Sequence, residues 1–136
     1  MAQAGSPDTS SGKGPGDIDF EIGFYEAILK RLPDSIDVLM ALGDDYTQRG
    51  LFEKGLGVDE ALCRLRDNDP IVRYNLACSY SLLGKVDQAI ATLREAIALG
   101  YRDSTHLQRD PDLDRIRRDP RYTALLNEIL HQQMTS

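Results

Sequence analysis

Apolar residues recur every three or four positions along most of this chain. Ile18, Ile22, Tyr25, Ile28, Leu29 and Leu32 share one face of a helix read from Asp17 to Arg31. Asp17, Asp19 and Glu21 sit near the positive end of its dipole, and Pro33 stops it. Leu76, Tyr80 and Leu83 repeat this spacing in a helix opening at Pro70, and Val86, Ala89, Ile90, Leu93, Ala96 and Ile97 repeat it in the next. Gly84 stands between the two, where a helix ends by entering the left-handed region that glycine reaches without a Cβ penalty. Ala77, Ala89 and Ala96 are small enough for two helix backbones to close up. The pattern predicts a helical hairpin over 70–103.

The same features occur 34 residues earlier: Leu42-Gly43, Tyr46, Gly50 and Gly55 precede Leu76-Ala77, Tyr80, Gly84 and Ala89 by that interval. A second hairpin over 36–69 follows, with Asp34 or Ser35 as its N-cap. Its second helix, roughly Phe52 to Arg66, carries Gly55 and Gly57, each weakening a helix by about 1 kcal/mol relative to alanine. Asp59 stands there on the face where an apolar residue is expected. Either the helix is rotated or Asp59 accepts hydrogen bonds from a neighbour; a structural role is the expectation, ahead of a catalytic one. Tyr25 lies 34 positions before Asp59, so 17–33 reads as the second half of a truncated repeat that caps the stack.

Beyond Asp103 the pattern changes. Residues 104–108 begin like a third inner helix, and Asp110-Pro111 cuts it short because proline removes a donor and forces the preceding residue out of helical geometry. Asp110-Pro111 and Asp119-Pro120 are both an acid at the cap followed by proline at the first turn. The first opens a short helix with Leu113 and Ile116, the second a longer one with Tyr122, Leu125, Leu126, Ile129 and Leu130.

The stretch Leu76-Ala77, Tyr80, Gly84, Ala89, Leu93, Ala96 resembles a tetratricopeptide repeat (TPR), a helix-turn-helix unit of about 34 residues. Leu93 stands in place of the family's aromatic and Tyr101 in place of its closing proline. Residues 110–122 resemble the segment that closes certain bacterial TPR arrays. The resemblance implies an all-α chain, a right-handed superhelical stack of antiparallel helix pairs forming a TPR-like α-solenoid. Its parts are a half-repeat over 17–33, repeats over 36–69 and 70–103, and closing helices over 104–136, all within a single domain, 17–136. An array must end in a helix with a polar face, and stacking usually needs at least three units, so both caps contribute.

Composition narrows the function. A chain of 136 residues, 41% hydrophobic and 28% charged, holds one modest core. A net charge of −6 argues against general nucleic-acid or anionic-membrane binding, both of which need a basic surface. Residues 17–69 hold 13 acids and 6 bases, residues 70–136 hold 8 acids and 9 bases, an asymmetry that steers a partner or merely solvates two faces. Cys63 and Cys78 form no Cys-x-x-Cys pair, which suits a reduced cytosolic chain. No apolar run approaches spanning length and the N-terminus lacks a signal-peptide core, so the expected location is the cytoplasm. Residues 1–16 are rich in Gly, Ser and Pro and read as a disordered tail; Gly12-Lys13 lacks the surroundings of a phosphate loop.

Candidate chemistry is sparse. Asp110, Asp112 and Asp114 alternate like the opening of a calcium loop, but Arg115 stands where that loop needs glycine and Arg121 where it needs glutamate. His106 and His131 have no Cys or His at ligand spacing, and no Ser, Cys or Lys sits in a nucleophile motif. No enzyme activity, cofactor or metal is expected. What remains is the groove that the resemblance implies along the inner helices. It assigns Asp37, Met40, Asp44 and Gln48 from the first repeat, Ile71, Tyr74, Asn75 and Cys78 from the second, and Arg109 from the third inner helix. Tyr74 and Met40 are expected as apolar anchors, Asn75 as a hydrogen-bonding side chain, and Asp37 and Asp44 as a preference for basic groups. The alternative is that the chain's own terminal helices fill this groove. Some family members grip a terminal carboxylate with five inner-helix residues; Asn75 and Arg109 match two, while Met40, Asp44 and Thr105 replace the others, and Asp44 repels a carboxylate. The expected function is an interaction adaptor that binds a protein segment, peptide or helix. A homo-oligomeric structural module is the alternative, and an enzyme comes third.

Overall fold

The structure, a computed structural model, describes residues 14–135. Among them it contains helices and no strand: α1 (Pro15–Arg31), α2 (Ile36–Gln48), α3 (Phe52–Leu65), α4 (Pro70–Leu82), α5 (Val86–Ala98), the short α6 (Ser104–Arg109), a 3-10 turn (Pro111–Leu113) and α7 (Pro120–Thr135). The first helix starts earlier than the pattern implied, because Pro15 occupies its first turn, where a missing N–H costs nothing. Residues 14–16 therefore belong to structure rather than to a tail; the rest of the expected tail lies outside the described residues.

Each helix packs on the next in sequence from α1 to α5. The inner helices start by one device at one interval. Ser35, Asp69 and Asp103, 34 residues apart, each accept a backbone N–H of the first turn: Val38 at 3.4 Å, Ile71 at 2.9 Å and His106 at 3.0 Å. The turns are as regular. At Gly50 (φ 79°) and Gly84 (φ 74°) the N–H of the following residue returns to the carbonyl five positions back, Leu51 to Tyr46 at 2.8 Å and Lys85 to Tyr80 at 2.9 Å. This is the glycine-hinged helix ending that a side chain at those positions would strain.

The core falls into two clusters that share α4. Val72 and Leu76 join Ile18, Ile22, Leu39, Leu42, Tyr46, Val58 and Leu62 on one side. Tyr74, Ala77 and Cys78 join Ala89, Ile90, Leu93 and Ala96 on the other, together with Leu107, Leu113, Ile116, Tyr122, Leu125 and Ile129 of the closing segment. Leu107, Leu113, Ile116 and Ile129 are fully buried. At about 2 kcal/mol for each such side chain, the closing segment is an integral part of the core.

That segment departs from the expected short helix. After Pro111–Leu113 the chain runs in tight turns to Asp119, with Ile116 N–H bonded to Leu113 and Asp119 N–H to Ile116. Arg117 accounts for this: its guanidinium donates to the carbonyls of Leu107 (3.1 Å), Gln108 (2.7 Å) and Asp110 and to the Tyr122 hydroxyl (2.9 Å). The Tyr122 hydroxyl in turn donates to Leu107 at 3.0 Å. One arginine thus gathers the unpaired carbonyls at the end of α6, which a continuing helix would have used.

Candidate functional site

The inner helices α2 and α4 leave a cleft between them. From α2 come Met40, Gly43, Asp44, Thr47 and Gln48, spaced as one face of a helix; from α4 come Asn75, Cys78, Ser79 and Leu82, spaced likewise. Asp59 and Leu62 of α3 line it as well, together with Asp112 of the closing segment, around a volume of about 210 Å³. A second, more open hollow of about 440 Å³ lies among α1, α2 and α3, lined mainly by Leu29, Leu39, Leu42, Tyr46, Val58 and Ala61. Its wall is mostly apolar, with Glu26, Lys30 and Lys54 among its lining, whereas the cleft presents carboxylates, amides and hydroxyls beside Met40 and Leu82.

Of the nine residues assigned from the sequence, the structure brings Met40, Asp44, Gln48, Asn75 and Cys78 together in this cleft. Asp37, Ile71 and Arg109 are exposed elsewhere, the first two in the opening turns of α2 and α4 and the third at the end of α6. Tyr74 requires a correction. It is 3% exposed, its ring stacks on Tyr101 at 4.4 Å, and its hydroxyl donates to Asp110 Oδ2 at 2.6 Å, so it offers nothing to a visiting chain. Cys78 is likewise buried and its thiol donates to the same oxygen at 3.6 Å. The groove is therefore partly filled by the chain itself: the Asp110-Pro111 turn folds back onto Tyr74 and Cys78 of α4 and leaves Met40, Asp44 and Gln48 on the α2 side exposed.

Asp110 is the hub of that fold-back. Besides Tyr74 and Cys78, its Oδ1 accepts the Asp112 N–H at 3.0 Å, and His106 Nε2 lies 3.2 Å from its Oδ2. Cys78, Asp110 and Asp112 place their ligand atoms within 4.8 Å of one another, the separation a metal ion would need. The donors already engaged argue for a hydrogen-bonded latch instead. Burial also pushes the Cys78 thiol well above its ordinary range, and the Asp110 carboxylate beside it adds to that, so the thiolate a metal prefers is disfavoured. The Asp112 carboxyl is raised too, by burial and by the neighbouring Asp110.

Asp59 resolves the alternatives open in the sequence: α3 keeps its register, and Asp59 accepts a hydrogen bond from the neighbouring helix. Ser79 Oγ of α4 donates to its Oδ2 at 2.5 Å. With 9% of its surface exposed, the carboxyl is pushed up to about 6, chiefly by burial, with Ser79 opposing the rise and Asp44 adding to it. Thr47, Ser79 and Asp112 were not assigned to the groove from the sequence. Thr47 and Ser79 lie at helical spacing from Asp44 and Asn75 and could have been found that way; Asp112 arrives only through the fold-back.

No family model matches the chain. It is similar to a curated chloroplastic protein of Arabidopsis thaliana, 29% identical over 90 residues, which cover 64% of this chain and 27% of that protein. The chain thus spans about a quarter of the length of the curated relative it matches. Among solved structures it resembles "MamA MSR-1 C2", with a TM-score of 0.64 at 19% identity over 87% of this chain and 70% of that one. These helices accordingly have the fold of a TPR-like α-solenoid.

Proposed function

We propose that this chain is a non-enzymatic interaction module that holds a segment of another polypeptide in the cleft between α2 and α4. The observation that carries this reading is the exposed α2 side of the groove. The closing segment covers Tyr74 and Cys78 and stops there, leaving Met40 40% exposed beside Asp44, Gln48, Asn75 and Leu82. Apolar rims with amides and carboxylates between them suit an extended peptide or a helix, which is held by side-chain hydrogen bonds and shallow apolar contacts. The span 17–136 works as a single domain in this reading, with no cofactor. Its setting is the bacterial cytoplasm, inferred from two buried free thiols and the closing segment's likeness to bacterial arrays. No helix of the described residues is long and apolar enough to cross a membrane.

The test is selection of binders from a random-peptide display library, followed by affinity measurement on a Met40→Ala, Asn75→Ala double variant. Both residues line the cleft and neither is buried, so the double variant should fold and bind about tenfold more weakly or worse. Unchanged affinity would remove the cleft from the account.

A second reading has its own observation. Phe20 and Phe24, one turn apart on α1, are 76% and 55% exposed, leaving an uncovered apolar stripe on the capping helix. Self-association through α1 would cover it, giving the homo-oligomeric module.

A further inference from the structure

We infer that the exposed face of α1 is the interface of a two-fold dimer, in which α1 of one copy lies antiparallel to α1 of a second and Phe24 sits near the axis. The inference rests on the second reading above, self-association through α1, and adds the orientation of the two copies and the residues that set it. One stripe of α1 carries Asp17, Phe20, Gly23, Phe24, Ala27 and Arg31 at helical spacing, and all six are exposed. On the opposite side of the helix Ile18 and Ile22 are buried in the core shared with α2.

The repeat separates what the fold requires of this face from what it does not. One period later the place of Phe24 is taken by Val58, and one period further by Thr92, both buried. Val58 is covered by the inner helix of its own hairpin, its Cγ1 standing 3.4 Å from where a Cβ on Gly43 of α2 would lie. Among the described residues α1 has no inner helix before it, so the ring of Phe24 lacks that cover. Phe20 falls where Lys54 and Gln88 stand, and both are exposed. A complete hairpin leaves that place to solvent, so an aromatic ring there serves a contact outside the fold.

The occupant is a second copy because the stripe is complementary to its own reverse. Asp17 lies seven residues before Phe24 and Arg31 seven after it. Antiparallel pairing about Phe24 sets Asp17 of each copy beside the partner's Arg31 and Lys30, and lays the rings against the small Gly23 and Ala27 across the axis. These charges are available: Asp17, Lys30 and Arg31 have no ion-pair partner among the described residues, whereas Asp19 is held by Arg49 at 2.6 Å. A parallel pairing would oppose like charges at both ends of the stripe. Residues 1–13 offer Met1 as their one large apolar side chain, which does not match two rings.

The test is sedimentation equilibrium of the full chain over a range of concentrations, alongside Asp17→Arg, Arg31→Asp, the two combined, and the double variant Phe20→Ser, Phe24→Ser. All four positions are exposed, so each variant should keep the native circular dichroism. The expected result is a parent dimer, a dissociation constant raised about tenfold or more by each single charge change, recovery toward the parent in the combined charge variant, and a monomeric phenylalanine variant. Recovery is the result that a local effect would not give. Asp17 and Arg31 also suit the dipole of α1, so loss of helix stability alone would make the combined variant the weakest of the three. That variant also keeps the net charge of −6, which removes general repulsion as a cause. With a monomeric phenylalanine variant, single charge variants as tight as the parent, a combined variant weaker than either, or a parent that assembles beyond two copies would overturn the antiparallel pair and leave self-association through α1. A parent that stays monomeric, or a phenylalanine variant that dimerises like the parent, would overturn both.

Discussion

The Tyr74 hydroxyl donates to Asp110 Oδ2 across 2.6 Å, tying the inner face of α4 to a residue 36 positions further along. This bond, in a site where both partners are buried, decides how much of the groove is left open. Tyr74→Phe removes the donor and keeps the ring that stacks on Tyr101. A hydrogen bond to a charged group contributes about 1.5–3 kcal/mol, so the urea midpoint should fall by the equivalent of about 2 kcal/mol. An unchanged midpoint would show that the fold-back does not depend on this contact.

Asp59 makes stability depend on pH in a defined direction. Its carboxyl titrates near 6 in the folded chain, above its ordinary range near 4. Between those values the folded chain holds a proton that the unfolded chain has released. Its contribution therefore falls as pH rises through that window and stays low above it. Asp59→Asn removes the titration, so the variant's gain over the parent should grow from about zero at pH 4 to about 2–3 kcal/mol by pH 7.5. Urea unfolding of both proteins at pH 4, 5.5 and 7.5 checks this; a gain independent of pH would contradict the burial of the charge.

Two glycines should respond in opposite directions to alanine. Gly57 lies inside α3, exposed, with nothing within 4 Å of an added Cβ, so Gly57→Ala should stabilise by about 1 kcal/mol. Gly50 sits at φ 79° in the turn after α2, where alanine is strained, so Gly50→Ala should destabilise by about 1 kcal/mol. Thermal midpoints that move together would argue against the turn geometry.

The uncovered stripe on α1 is tested by sedimentation across a range of concentrations. If α1 mediates self-association, the parent shifts to a larger species on concentration and Phe20→Ser, Phe24→Ser does not. A parent that stays monomeric throughout removes the homo-oligomeric reading.

The repeat was legible because it is local and periodic. Leu42 and Leu76, Gly50 and Gly84, and the caps Ser35, Asp69 and Asp103 recur at 34 residues, and each sets its own helix end or hairpin contact. Asp59 announced itself by breaking that pattern, although its Ser79 partner became visible only when α3 and α4 were set side by side. The state of the groove was not legible. Tyr74 and Asn75 are adjacent, and nothing local separates the one covered by Asp110 from the one left in the cleft. That distinction is made by the path of the closing segment, which Arg117 fixes by collecting three carbonyls from separate residues. Proline at 111 signalled an interruption but carried no information about the direction in which the chain turns afterwards.

The account stands most directly on where a bound peptide touches the protein. In a titration of the isotope-labelled chain with a display-selected peptide, followed by backbone amide shifts, the largest changes should fall at Met40, Asp44, Gln48, Asn75 and Leu82. Changes concentrated instead around Phe20 and Phe24, or around Ile71 and Arg109, with those five unmoved, would contradict it.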